Sequence, residues 1–293
     1  MNIIIAGCGY VGRRVAKKEM AQGNTVLAMV RADKSRQVLI DAGINTISFD
    51  LDAPTTLSTL PVNGSGIYYF APPPSTGTTD PRLRTFLDGI DTGRLPSRMV
   101  YISTTGVYGD CHGEWVKEDR QPMPIADRAK RRWDAEQALR DWSTRTGVPV
   151  CILRVPGIYG PGKVPTKRIE NGTPVLAESE SPWSNRVHVD DLVHACMAAM
   201  DHGHPGGVYN ISDGNPSTMT DYFNHIADAM GLPRPQQISL EEAKKMFSRE
   251  LISYLTESKR LDNSLMRSEL GVEPEYPTLD IGLKAALGTW RPK

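Results

Sequence analysis

A hexapeptide near the N-terminus, Gly7-Cys8-Gly9-Tyr10-Val11-Gly12, constrains this chain more than any other feature. It follows a short isoleucine-rich run, Asn2 to Ala6, that reads as a buried parallel strand. It opens a segment, Tyr10 to Gln22, that carries Val11, Val15, Ala16 and Met20 at helical spacing and is stopped by Gly23-Asn24. In a strand–turn–helix unit each glycine has its own physical reason. Gly7 permits the tight turn, Gly9 lets a pyrophosphate approach the backbone, and Gly12 lets the helix pack close to the strand. Free N–H groups and the positive dipole end at the start of the helix favour an anion there. The motif alone is weak. In this context it predicts a dinucleotide site, with Tyr10 and Val11 lying on it between the glycines.

Further strands are expected at Thr25–Val30, Ile44–Phe49, Gly66–Phe70, Met99–Ser103 and Val148–Arg154, with helices at Lys34–Ala42 and Asp127–Thr146. Strands alternating with helices predict an α/β chain with a doubly wound, Rossmann-type parallel sheet over residues 1–156. Beyond Gly157 the pattern turns irregular and richer in proline and glycine. Helices are expected near Asp190–Asp201, Met219–Met230, Glu241–Phe247, Lys259–Glu269 and Leu279–Leu287, with one short strand at Val208–Ile211. The expectation is a smaller, mostly helical C-terminal substrate region, 157–293, that closes over the crevice, with 190–215 returning to the sheet domain.

The end of the second strand bears on the choice of dinucleotide. An acidic residue there would bond the ribose 2′-hydroxyl of NAD, whereas this chain has Val30-Arg31. A guanidinium suits a 2′-phosphate, so Arg31 predicts NADP, with Arg36 assisting. Asp33 keeps NAD open, because a bent loop can bring it to the ribose.

Lys+Arg and Asp+Glu each number 34, so the formal net charge is zero and nothing points to a nucleic acid partner. The cysteines Cys8, Cys111, Cys151 and Cys196 are scattered, with no Cys-x-x-Cys pair, which predicts reduced thiols, a cytoplasmic setting and no metal site. The N-terminus lacks a basic n-region, and no apolar stretch approaches the roughly 20 residues that span a bilayer. A small-molecule partner and a monomer or homodimer are expected.

The segment Tyr101-Ile-Ser-Thr-Thr-Gly-Val-Tyr-Gly109 resembles the central strand and loop of the extended short-chain dehydrogenases/reductases, which include the NAD-dependent epimerases and dehydratases. Leu153-Arg-Val-Pro-Gly-Ile-Tyr-Gly-Pro-Gly162, Arg186-Val-His-Val-Asp-Asp-Leu192 and Gly207-Val-Tyr-Asn-Ile211 resemble later motifs of that family, in the right order. The resemblance implies that Thr104 polarises the substrate oxygen, with Ser103 and Thr105 as alternatives. It places Ala71, Ser103 and Pro156 beside the cofactor, and the Pro72-Pro73-Pro74 run on the crevice wall. The family's acid/base is a Tyr followed four residues later by Lys and then by Glu. Counting back from Glu136 puts Arg132 at the Lys position and Arg128 at the Tyr position, which resembles an atypical subgroup lacking Tyr-x-x-x-Lys. Arginine stays protonated and cannot shuttle a proton near neutral pH, so these two side chains are expected to bind anionic groups of cofactor or substrate. Arg131 shares their helical face by its spacing. Tyr108, Tyr159 and His188 are the alternative proton donors. Trp115, Glu118 and Asp119 are candidates for substrate contact or plain loop packing.

The function implied is an NAD(P)-binding oxidoreductase or epimerase/dehydratase-like enzyme acting on a small, polar, anionic compound. The alternative is a non-catalytic NADP-binding sensor or regulatory protein.

Overall fold

The computed structural model describes residues 1–53 and 60–288, with the side chain of Lys34 left out. Seven parallel strands form the central sheet: β1 (Asn2–Ala6), β2 (Thr25–Val30), β3 (Asn45–Ser48), β4 (Gly66–Tyr69), β5 (Arg98–Thr104), β6 (Val150–Val155) and β7 (Val208–Asn210). Their order across the sheet is 3-2-1-4-5-6-7. The order reverses between β1 and β4, and in open α/β sheets ligands bind outside the carboxyl ends of the strands at such a point.

Successive residues of β1 divide between two cores. Ile3 and Ile5 pack on one face, while Ile4 and Ala6 pack on the other. A strand buried on both faces needs an unbroken apolar run, which is what Ile3-Ile4-Ile5-Ala6 supplies. Helices α1 (Gly12–Ala21), α2 (Asp33–Ile40) and α5 (Val189–His202) cover the first face. Helices α3 (Pro81–Asp88) and α4 (Asp127–Thr146) cover the second. Helix α4 stops at Gly147, whose φ of 75° is left-handed and favours glycine.

Residues outside the sheet build a smaller core under the crevice. Tyr159, Ile169 and Val175 pack there against α6 (Met219–Met230) and α7 (Leu279–Leu287). Two short helices, Leu240–Met246 and Arg249–Leu255, pack beside it through Ala243 and Leu255.

Two departures from the sequence reading have local causes. The helix expected over Lys259–Glu269 is split. Arg260-Leu261 pairs as a parallel strand with Trp115-Val116, and only Ser264–Ser268 is helical. Asn185 Oδ1 accepts the Leu261 N–H at 2.8 Å and Asp262 Oδ1 accepts the Ser264 N–H at 2.8 Å, so side chains fix an extended stretch and a turn. Helix α3 was not anticipated, although Asp80-Pro81 is a helix-start signal. Asp80 caps it, accepting the Leu83 N–H at 3.2 Å.

Candidate active site

The glycine loop has the geometry its sequence requires. Gly7 has φ +90°, and a Cβ there would stand 2.4 Å from the Ala71 backbone nitrogen. Ala71 is buried against the loop. A Cβ at Gly12 would lie 3.0 Å from the Gly7 carbonyl oxygen and 3.2 Å from Ile5, so helix and strand touch. A Cβ at Gly9 meets nothing within 4 Å, so the backbone of Gly9 borders open space. Helix α1 begins after Val11 with no side-chain cap. An uncapped helix start facing open space fits a pyrophosphate. Tyr10 closes the far side of the loop, its hydroxyl donating to the Pro161 carbonyl at 3.0 Å with the Arg14 guanidinium 4.2 Å from the centre of its ring.

A cavity of about 620 Å³ opens beyond the carboxyl ends of β5 and β6. Ser103, Thr104, Arg128, Arg132 and Pro156 all line it. The structure therefore gathers five of the residues singled out from the sequence. The Thr104 oxygen accepts the Gly106 N–H at 3.2 Å, capping the short 3₁₀ turn that follows. That contact uses a lone pair and leaves the hydroxyl proton for a ligand. Ser103 is committed differently. It is buried, and its hydroxyl donates to Glu136 at 2.6 Å. Glu136 also takes two hydrogen bonds from Arg154, at 2.8 and 3.2 Å, in a fully buried pair.

Arg128 and Arg132 both face the cavity. Arg128 donates to the Ser253 hydroxyl at 2.7 Å, and its guanidinium lies 3.5 Å from the centre of the Tyr254 ring. Arg132 donates to the Ile102 carbonyl on β5 and lies 5.9 Å from the Tyr101 ring. Arg131 does not join them. It is buried and donates to the Gly77 carbonyl at 2.6 Å. Asp127 meets Lys130 at 3.4 Å, and Glu136 meets Arg154.

Sequence reasoning missed the rest of the charged lining. Lys163, Arg186 and Lys259 bring the cationic residues on the cavity to five, against one carboxylate, Glu257. Glu257 lies 3.1 Å from Lys259. Arg186 stands within a motif that was noticed and could have been assigned. It is buried over the Tyr222 ring at 4.2 Å and donates to Ser184 and to the Asn185 carbonyl at 2.8 and 2.7 Å. Tyr254 and Trp183 carry no local signal that would have found them.

Tyr108 is a correction. It is 1% exposed, it does not line the cavity, and its hydroxyl donates to Asn210 at 2.7 Å. Burial pushes its phenol up to about 12. The short turn after Thr104 rotates this side chain into the core, so proximity in sequence misplaced it. Tyr159 is likewise buried, packed edge-on against His188. His188 accepts the Asp190 N–H at the start of α5, and burial lowers its pKa, which keeps the ring neutral. Of the remaining loop candidates, Glu118 accepts the Asn210 N–H at 2.7 Å. The exposed Trp115 lies 5.4 Å from Arg260 and lines a separate surface groove.

Arg31, immediately after β2, is exposed but is not a free guanidinium. It meets Asp52 at 3.2 Å. Arg36 donates to Thr46 at 3.3 Å. The wall after β4 is held by Arg82, which donates to the Pro72 carbonyl at 3.0 Å.

Sheet order, glycine loop and crevice define a doubly wound, Rossmann-type α/β fold. Residues 85–212 match the NAD dependent epimerase/dehydratase family. Protein YeeZ of Escherichia coli (strain K12) is 26% identical over 94% of this chain and 96% of its own. A 3-diazoavenalumate denitrifying reductase of Streptomyces sp is 23% identical over 97% and 99%. Among solved structures, a functionally unknown conserved protein from Silicibacter pomeroyi DSS superposes with TM-score 0.85 and 28% identity over 97% of each chain. UDP-glucuronic acid 4-epimerase from Bacillus cereus, in complex with NAD, gives TM-score 0.78 at 18% identity over 97% of each chain, a likeness of fold. Among the described residues no helix is long and apolar enough to cross a membrane.

Proposed function

We propose that this chain is a nicotinamide-dinucleotide-dependent oxidoreductase of the epimerase/dehydratase kind, acting on a small anionic carbonyl or hydroxyl compound. One observation carries the reading. The Thr104 hydroxyl and the two α4 arginines line one cavity beyond the carboxyl ends of β5 and β6, on the same sheet whose β1 ends in the glycine loop. The backbone around Gly9 and the start of α1 would hold the pyrophosphate, with Ala71 and Pro156 beside the crevice. When bound, the nicotinamide would accept or supply a hydride. Thr104 would donate a hydrogen bond to the substrate oxygen as negative charge develops on it. Arg128 and Arg132 would hold an anionic group near the reacting carbon, and the excess of cations in the lining disfavours a neutral ligand.

Two relatives support the reading in different ways. The Bacillus cereus epimerase binds NAD on the same fold, and the Streptomyces protein spanning nearly the whole chain is a reductase. We place the dinucleotide unit at 1–156 with 190–215, and the substrate unit at 157–293. Glu136 with Arg132 four and Arg128 eight residues before it is the pattern of an atypical member without Tyr-x-x-x-Lys. Arg31 argued for NADP on the sequence, but a guanidinium already meeting a carboxylate argues less strongly, and NAD is the favoured dinucleotide.

The test is a screen for NADH oxidation or NAD reduction with 2-oxo acids, keto-sugar acids and nucleotide sugars. Turnover is expected on an anionic member, and Thr104→Val should lower it by about 10²–10³-fold with dinucleotide affinity retained. Dinucleotide binding without turnover on any member would overturn the enzyme reading in favour of a sensor.

A further inference from the structure

The strand ends after β2 and β3 hold a three-membered ionic group, of which the dinucleotide reading above uses only the contact between Arg31 and Asp52. Asp52 lies four residues beyond the end of β3, where the Asp50 carboxylate fixes it by accepting its N–H at 3.0 Å. Its two oxygens take a forked pair of hydrogen bonds from Arg82, both at 2.6 Å. The same carboxylate takes a single contact from Arg31 at 3.2 Å. Arg31 is the residue immediately after β2, where the sheet presents the adenosine ribose of a bound dinucleotide.

The two arginines differ in how firmly they are held. Arg82 has a side chain 19% exposed, a bidentate fork and a further bond to the Pro72 carbonyl. Arg31 has a side chain 64% exposed and one contact, and an exposed contact of that kind holds weakly. Arg82 therefore fixes the position of Asp52, and Asp52 then acts on Arg31. Hydrogen bonding from Arg82 also holds the Asp52 carboxyl below the usual carboxylate range, so it stays ionised at neutral pH.

We infer that Asp52 selects the dinucleotide: its carboxylate engages Arg31, opposes a 2′-phosphate, and so favours NAD over NADP. The chain lacks an acidic residue at the end of β2, and Asp52 supplies that negative charge from the neighbouring connection. A 2′-phosphate would bring like charge against a carboxylate that Arg82 keeps in place, while a ribose hydroxyl would meet an acceptor. With Asp52 gone, Arg31 and Arg82 would be two guanidinium groups without their shared partner, a setting that suits a phosphate.

The inference rests on the dinucleotide reading of the preceding section, and its test separates the two. The affinities of NAD and NADP are measured by calorimetry for the native protein, Asp52→Asn, Arg31→Ala and the double variant, with thermal unfolding as a check on folding. The native protein should prefer NAD. Asp52→Asn should move the NADP-to-NAD affinity ratio at least about tenfold towards NADP. Adding Arg31→Ala should cancel most of that change. A merely structural role for Asp52 would weaken both dinucleotides together and leave the ratio unmoved, which would overturn the inference. A native preference for NADP would also overturn it. If neither dinucleotide binds the native protein, the dinucleotide reading itself fails and takes this inference with it.

Discussion

The Arg128 guanidinium carbon lies over the Tyr254 ring, 3.5 Å from its centre, and joins helix α4 to the short helix Arg249–Leu255 across the cavity. A planar cation stacked on an aromatic face keeps its charge and leaves edge N–H groups for an oxyanion. Arg128→Ala should lower the affinity for a dicarboxylate probe such as 2-oxoglutarate by about ten- to a hundredfold. Arg128→Lys should recover only part of it, because an ammonium offers no fork. Dinucleotide affinity should stay within about twofold in both variants, since the adenosine half lies elsewhere. Calorimetry reads both quantities. Unchanged affinity for the probe in Arg128→Ala would remove this guanidinium from the site.

Glu136 and Arg154 form a buried pair between α4 and β6, with side chains 0% and 2% exposed. Glu136→Ala would leave the arginine charge buried and should destabilise the protein by about 3–5 kcal/mol. Ser103→Ala removes one donor from the same carboxylate and should cost about 1–3 kcal/mol without changing dinucleotide affinity. Denaturant unfolding checks the stabilities. A marked loss of dinucleotide affinity in Ser103→Ala would show that its hydroxyl serves the cofactor rather than Glu136.

Burial raises the Asp213 carboxyl to about 7. The folded protein therefore keeps this proton at a pH where the unfolded chain has lost it. The folded state binds more protons between about pH 4 and pH 7, so stability from this group falls as pH rises through that window and is flat above it. Asp213→Asn keeps an acceptor for the Asn215 N–H, now made at 3.0 Å, and cannot ionise. Its unfolding temperature should exceed that of the native protein at pH 8, and the gap should close towards pH 5. A gap that widens on acidification would contradict the raised carboxyl.

The sequence disclosed what local geometry dictates. Gly7 and Gly12 were legible because their reasons, a turn against Ala71 and contact with Ile5, lie within a strand–turn–helix unit and its neighbour. Arg128 and Arg132 were found by counting along one helix from Glu136. Tyr254 was not, because it reaches Arg128 only through the packing of a seven-residue helix far away in the chain. Tyr108 was misplaced because the turn at Thr105–Tyr108 decides which way it points, and Asn210, from β7, holds it in the core. The helix expected at Lys259–Glu269 had a plausible periodicity, but pairing with Trp115-Val116 outweighed it. Arg31 read as a free phosphate receptor because its partner Asp52 lies beyond the next strand.

The central claim is that a nicotinamide dinucleotide sits on the Gly7–Gly12 loop, and the substitution Gly9→Glu tests it most directly. A Cβ at Gly9 meets nothing within 4 Å and its backbone is not in the left-handed region, so the fold should survive the substitution. The new carboxylate would project where the pyrophosphate belongs and repel it. Calorimetric titration of the native protein with NAD should show saturable binding, and folded Gly9→Glu should show none. Equal affinity for NAD in the native protein and the folded variant would contradict the assignment of the loop, and with it the function built on it.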